Sequence, residues 1–526
     1  MSSDKPKLFY LTSCALICAL SLFNAGYCYG YFNNLTGIMH KQYVYRDKQR
    51  ISDEDLFNSL VSGLMIVGAI PGSLIATPMM KKGRRITLII SSLIHTLGAC
   101  LCLIFNMWAL LIGRFIMGIA IGIYFSVCPL YISEMSPPSV SGPLGTLNQM
   151  SLVTGLFLAY AFGYILPLSE DSDAATTGLW RVVSFPPIVF GLIQFLFLTM
   201  IFRYDTPRFY KNKGDIKNYH KIMNLIFYDA PTQEDKALDS EHGHAQKKNI
   251  QENENQIDKN SGDEKSLQEQ PDKEQEVVEE SKAEICPPGV KDERVDDTTK
   301  QAKDQKIEGD KNESIEVKTQ NKQWTSYYKK ALLYCSLLSF FQQASGVNGV
   351  TFFSNEIFKD GDEGNAAERR ARLGTLLIGV AAFTGTNSSI WLYKYFSRKF
   401  FFLTSEIIIL VCLSLCGICA LVDFDVGVIV LTMIYIYAFN CGIGPTLWIY
   451  SSDVLDSSGT SLIALINMVM TVIFAGTTNL MFEYFTAPGV YFGLSVIQIF
   501  CILFIWKFIR ETKGKSREEC ERLYQD

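Results

Sequence analysis

The chain has 526 residues, 48% of them hydrophobic, and a net charge of −5. That length could hold several soluble domains, but nearly all the charge lies between long apolar runs or in one central block. Soluble helices carry a polar face, and these runs mostly lack one, so a large soluble helical protein is excluded. No Walker A loop and no HExxH helix occurs, which leaves no motif for ATP-driven or metalloprotease chemistry and predicts a protein that is not an enzyme.

An apolar run of about 18 residues or more predicts a membrane-spanning helix. In chain order the runs are Leu8–Ala25, Gly63–Met80, Ile86–Phe105, Trp108–Leu130, Leu144–Pro167 and Val182–Phe202, then Ala331–Phe353, Leu373–Leu392, Phe400–Val422, Gly427–Tyr450, Leu462–Phe482 and Tyr491–Phe508. The pattern predicts an all-α membrane protein of about twelve spans. Lys5 and Lys7 give the first run a basic start, but no small-residue cleavage site stands out, so it reads as a span. Most cysteines lie inside spans, where they act as small hydrophobes. The CxxC at Cys416–Cys419 has no partner cluster, so no metal and no cofactor is expected.

Between the two groups of six, residues 232–322 hold about 25 acidic and about 15 basic side chains. Such a segment cannot bury enough apolar surface to fold alone and reads as a long disordered cytosolic loop, with room for a cytosolic partner. Without it the rest carries about +5, concentrated in Lys81–Arg85, Lys394–Lys399 and Lys507–Arg517. Basic loops face the cytosol, so both termini are expected inside. The expected organisation is a six-helix bundle over 1–210, an intracellular linker over 211–326, a second bundle over 327–510 and a cytosolic tail over 511–526. The halves echo each other: Pro129–Glu134 and Pro445–Asp453 both end a fourth span in proline, aromatic and acid. Paired repeats with a site between them are a common transporter architecture.

"FQQASGVNG" (Phe341–Gly349) sets Gln342, Gln343 and Asn348 in an apolar run. Amides are costly there and face a bundle interior or a cavity. They pair well with hydroxyls, since each offers a donor and an acceptor. In an unbroken helix Gln342 and Asn348 would stand about 120° apart. A break at Gly346 would turn both into one cavity.

Six stretches together resemble the sugar transporters of the major facilitator superfamily, over nearly all the chain except the central block. They are "GRFIMGIAIG" (Gly113–Gly122), "PLYISEMSP" (Pro129–Pro137), "YDTPRF" (Tyr204–Phe209), "QQASGVNG" (Gln342–Gly349), "GIGPTLW" (Gly442–Trp448) and "ETKGKSREE" (Glu511–Glu519). The resemblance implies the two-half major facilitator fold and a hexose, glucose-like, as the substrate. It implies a sugar site of Gln149, Gln342, Gln343, Asn348 and Trp448, with Asn467 matching an eleventh-span asparagine if a gap is allowed. Phe352 and Phe353 stand where the family usually has two tyrosines at the outer gate. Ungapped counting puts Ala382, not Asn387, at the eighth-span asparagine.

The resemblance also implies a cytosolic gate of salt bridges among Arg84, Arg85, Arg114, Glu134, Asp205, Arg208, Arg398 and Asp453. This network is thinner than in the family: Ser141-Gly142 replaces an Arg-Gly pair, and Tyr395 and Ser397 replace Arg and Gly. Cys28 stands where many proton-coupled members carry Asp. A thiol with an ordinary pKa near 8.5 is a poor proton carrier at neutral pH, and the other acids in or near the spans are read as Glu134 and Asp453, at cytosolic ends. The expectation is therefore facilitated diffusion by alternating access in the plasma membrane. The alternatives are a proton-coupled sugar, polyol or inositol symporter, and a non-transporting sugar sensor.

Overall fold

A computed structural model describes residues 6–47, 54–137, 140–168, 176–228, 326–351, 365–422, 424–515, 519–520 and 522–524. The central block and Phe352 and Phe353 lie outside the described residues. The described chain is almost entirely helical. The helices are α1 (Leu8–Gly30), α2 (Thr36–Asp47), α3 (Glu54–Lys81), α4 (Arg84–Cys102), α5 (Met107–Met135), α6 (Ser141–Tyr164), α7 (Leu179–Ser184) and α8 (Pro186–Met200), followed by the short α9 (Pro207–Lys213) and α10 (Ile216–Ile226). Then come α11 (Ser326–Ala344), α12 (Asn365–Leu392), α13 (Arg398–Leu421), α14 (Asp425–Cys441), α15 (Ile443–Val454) and α16 (Ser457–Phe508).

Helix starts follow local chemistry. Asn106 accepts the amides of Trp108 and Ala109 at the head of α5, at 2.9 and 3.1 Å. Thr206 caps α9 just before Pro207, whose missing N–H costs nothing at that position. Breaks follow it too. The expected sixth span is split into α7 and α8 at Phe185, where Pro186 and Pro187 cannot continue the backbone ladder. The tenth is split into α14 and α15 at Gly442. α16 covers the last two expected spans, with a non-helical Thr486 just before Pro488.

Among the described residues, nine helical segments are long and apolar enough to cross a membrane. The expected spans that fall short are informative. α6 and α11 are interrupted by amides, Asn148 and Gln149 in one, Gln342 and Gln343 in the other, and the start of α16 carries Asn467. These three segments carry the amides expected at the site.

The buried side chains form two main apolar clusters. One is built from residues 11–226 and takes in Trp448, Ala464 and Met468. The other is built from residues 331–524 and takes in Val153. Outward faces stay apolar, with Leu97, Ile165, Met200, Leu421 and Phe500 all exposed. An apolar surface of this extent suits lipid, and Trp108 at one end with Trp391 and Trp506 at the other suits the two membrane interfaces. The glycines of the "GRFIMGIAIG" stretch serve close packing. A Cβ at Gly118 or Gly122 would sit 2.1 Å from the carbonyl oxygen of Met65 or Ala69 on α3, so only glycine lets α3 and α5 approach this closely.

Candidate functional site

Between the two sets of helices lies a cavity of about 110 Å³. All six residues expected at the sugar, Gln149, Gln342, Gln343, Asn348, Trp448 and Asn467, line it. α11 ends at Ala344, Gly346 has a φ of +84°, and helix resumes at 347. The break lets Asn348 donate to the Gln343 side-chain oxygen and to Thr471 Oγ1, the latter at 3.4 Å.

Four of the amides, Gln342, Gln343, Asn348 and Asn467, form one connected network. Gln343 Nε2 donates to Asn467 Oδ1 at 2.9 Å, and Asn467 Nδ2 donates to Gln342 Oε1 at 2.8 Å and to Ser339 Oγ at 3.1 Å. Gln342 Nε2 reaches the carbonyls of Ile443 and Gly444 at 3.4 and 3.3 Å, where the break at Gly442 has just ended α14. Across the cavity, Gln149 Nε2 donates to Asn440 Oδ1 at 3.1 Å. Trp448 meets Phe125 with ring centroids 5.3 Å apart, so aromatic faces from both sets of helices close one side. Among the described residues, no charged side chain lines the cavity.

Asn440, Thr471, Tyr29 and Phe439 also line it and were not anticipated. Asn440 had a usable signal, an amide inside the apolar run "IYAFNCG". Ala382 lines the cavity, as counting predicts, whereas Asn387 bonds the Phe383 carbonyl at 2.8 Å and is not part of it.

Seven of the eight residues expected at the gate gather at the end of the bundle where α5 and α15 finish. Glu134 is buried between Arg84 at 3.0 Å and Arg208 at 3.9 Å and accepts from Thr206 Oγ1 at 2.7 Å. Arg85 meets Asp205 through its backbone amide at 3.0 Å, while its Nε goes to the carbonyls of Leu198 and Phe202. Burial pushes the Asp205 carboxyl above its ordinary pKa, against the pull of the Thr206 and Arg85 amides. Arg398 pairs with Asp453 at 3.1 Å, and Thr512 donates to the same carboxylate at 3.0 Å. Glu511 accepts the Arg398 and Lys399 amides at the head of α13, so the "ETKG" stretch caps a helix. Burial works against the Glu511 charge, but these amides and that of Lys513 outweigh it and hold the carboxyl below its ordinary pKa.

Arg114 departs from the expectation. It lies twenty residues before Glu134 on α5, about 30 Å away at 1.5 Å per residue. It is buried near the opposite end, donating to the carbonyls of Val61 and Cys28 at 3.0 and 3.1 Å, with its guanidinium 4.3 Å from the Phe32 ring centroid. The reading of acids in the spans also needs correction. Glu406, in the middle of "FFLTSEIIILVC", is fully buried within α13.

At the end opposite Glu134, a buried Arg372 on α12 reaches across to the end of α6. Its guanidinium donates to the carbonyls of Leu166 and Pro167 at 2.6 and 2.9 Å and to Glu368 at 2.6 Å. Tyr160 donates to the Thr351 carbonyl at 2.8 Å beside it. These contacts hold the two sets of helices together at that end.

Over residues 14–261 and 269–524 the sequence matches the family described as "Sugar (and other) transporter". The chain belongs to that family. Hexose transporter 1 of Plasmodium vivax (strain Brazil I) is 24% identical over 543 residues, covering 96% of this chain and 91% of the relative. Probable polyol transporter 6 of Arabidopsis thaliana is 25% identical over 540 residues, covering 97% and 94%. The solved structure of the major facilitator superfamily proton:xylose symporter XylE, bound to 6-bromo-6-deoxy-D-glucose, matches with a TM-score of 0.71 at 18% identity, covering 98% of this chain and 99% of that one. The transporter therefore has the major facilitator fold, with two six-helix halves, and is an integral membrane protein. The two apolar clusters are the cores of those halves, and the cavity lies between them.

Proposed function

We propose that the transporter moves a glucose-like hexose across the plasma membrane by facilitated diffusion. The observation that carries this reading is the lining of the cavity: six amides from α6, α11, α14 and α16 and the segment after the Gly346 turn, the rings of Trp448, Phe125 and Phe439, and, among the described residues, no charge. A neutral polyhydroxylated ring needs just such donors and acceptors along its edge and a flat apolar face. A charged substrate would find no counter-ion. Gln149 belongs to the first half and the other amides to the second, so rocking of the halves would expose the site to each side in turn.

Placement of the basic residues supports cytosolic termini. Lys513 bonds the carbonyls of Lys394 and Phe396, and Lys7 bonds that of Asn224, so both termini meet basic loops at the same end. Arg372 then closes the extracellular end. Cys28 in the first span, with its carbonyl rather than a carboxylate against Arg114, supports transport without a coupled proton.

Purified transporter in liposomes tests the proposal. Labelled glucose should equilibrate across the membrane, saturate with concentration, and reach the same final level with and without a proton gradient. Accumulation above the outside concentration when the gradient is imposed would contradict facilitated diffusion. A polyol that outcompetes glucose would move the substrate class to that of the Arabidopsis relative. Binding without equilibration would mark a sensor.

A further inference from the structure

Glu406 lies eight residues into α13 from Arg398, about 12 Å along the helix. It is fully buried, and neither carboxyl oxygen has a hydrogen-bond partner. α13 packs on α14, α15 and α16. Among the described residues, the titratable side chains buried on those faces are Tyr435 and Cys441 of α14 (the latter half-buried), Tyr450 of α15, and Tyr491 and Cys501 of α16, with Cys412 and Cys416 on α13 itself. None is basic. Of the charged groups at the head of α13, Arg398 and Asp453 are paired with each other, Lys399 bonds the Trp506 carbonyl and Glu511 accepts the Arg398 and Lys399 amides. Tyr435 and Cys501 lie within electrostatic range of Glu406, and among the described residues no basic side chain does. An ionised carboxylate in such a place is far costlier than a neutral acid.

The neighbourhood leads back to the sugar site. Tyr435 donates its hydroxyl to the Ser345 carbonyl at 3.0 Å. Ser345 precedes Gly346, the break that brings Gln343 and Asn348 together. On α16, Gln498 is buried with both amide atoms unpartnered, one turn from Cys501 on the same helix face.

We propose that Glu406 is a proton-binding site and that the transporter cycles only while the proton is bound. The inference rests on the carrier reading above and adds a regulator to it. The step is a simple acid dissociation: the carboxyl O–H bond breaks, the electron pair stays on the carboxylate and the proton goes to water. The charge left behind must then recruit a donor. The donor on the facing α14 is the Tyr435 hydroxyl, and its capture frees the Ser345 carbonyl and loosens the break between Gln343 and Asn348.

The experiment uses the full chain in liposomes at equal pH on both sides. Wild-type glucose exchange should fall along a single titration as pH rises, about tenfold per pH unit above its midpoint. Glu406→Gln, which keeps a neutral group at every pH, should exchange at the acid-limb rate throughout. A Glu406→Gln protein that keeps the wild-type titration overturns the proposal. Infrared spectroscopy reads the site without transport: the protonated-carboxyl C=O band should be present in wild type at neutral pH, lost at high pH, and absent from Glu406→Gln. A wild-type spectrum lacking that band also overturns it. Sodium chloride in place of choline chloride should leave the titration unmoved, and a sodium-dependent shift would make the ligand a metal cation and refute the proton. If neither protein exchanges glucose at any pH, the carrier reading fails, and the infrared band decides the proton site alone.

Discussion

Gln342→Ala should abolish most glucose transport while leaving the protein folded in the membrane. Gln342 accepts from Asn467 and donates to the carbonyls at the start of α15, so it joins the two broken helices at the cavity wall. Truncation removes a proposed sugar partner and leaves Asn467 Nδ2 with Ser339 alone. A buried polar group that loses its partner costs about 1–3 kcal/mol, which corresponds to about 10- to 100-fold in affinity. Concentration-dependent exchange in liposomes, with the amount of inserted protein measured in parallel, checks this. Wild-type exchange by the variant would make the seventh-span amides helix packing and not a sugar site.

Glu134→Gln should change how the transporter cycles while leaving the sugar contacts intact. Glu134 is the shared partner of Arg84, Arg208 and Thr206. Removing one member of a buried pair costs about 3–5 kcal/mol. The figure is an upper bound here, because Arg208 is 30% exposed and screened by solvent. Each of these pairs, like Arg398–Asp453, lies within one half, so its loss loosens that half at the Glu134 end. The balance between states should move by about tenfold, seen as altered turnover and altered labelling of cysteines placed at the Glu134 end. Unchanged kinetics together with unchanged labelling would show that the cluster holds neither state.

The fold was legible in the sequence because lipid demands long apolar runs, and the twelve runs stand apart from the charge. The amides were legible for the complementary reason: Gln149, Gln342, Gln343 and Asn467 are expensive where they stand unless they face one another or a ligand. The same logic applies to Asn440 and Glu406, single polar residues in equally apolar runs, which the motifs draw attention away from. Arg114 shows a different limit. Its motif marks it as important, but its depth follows from helix direction: α5 runs toward Glu134, so its first turns lie at the far end. The split of the tenth span follows from the Gly442-Ile-Gly-Pro445 stretch, a breaker pattern inside an apolar run, and close packing adds to it, since a Cβ at Gly442 would strike the Ser405 side chain at 2.1 Å.

A structure of the transporter determined with saturating glucose tests the central claim most directly. The account predicts a hexose in the cavity between the halves, its hydroxyls on Gln149, Gln342, Gln343 and Asn467 and its apolar face toward Trp448. Glucose bound elsewhere, with this amide network still closed on itself, would contradict it.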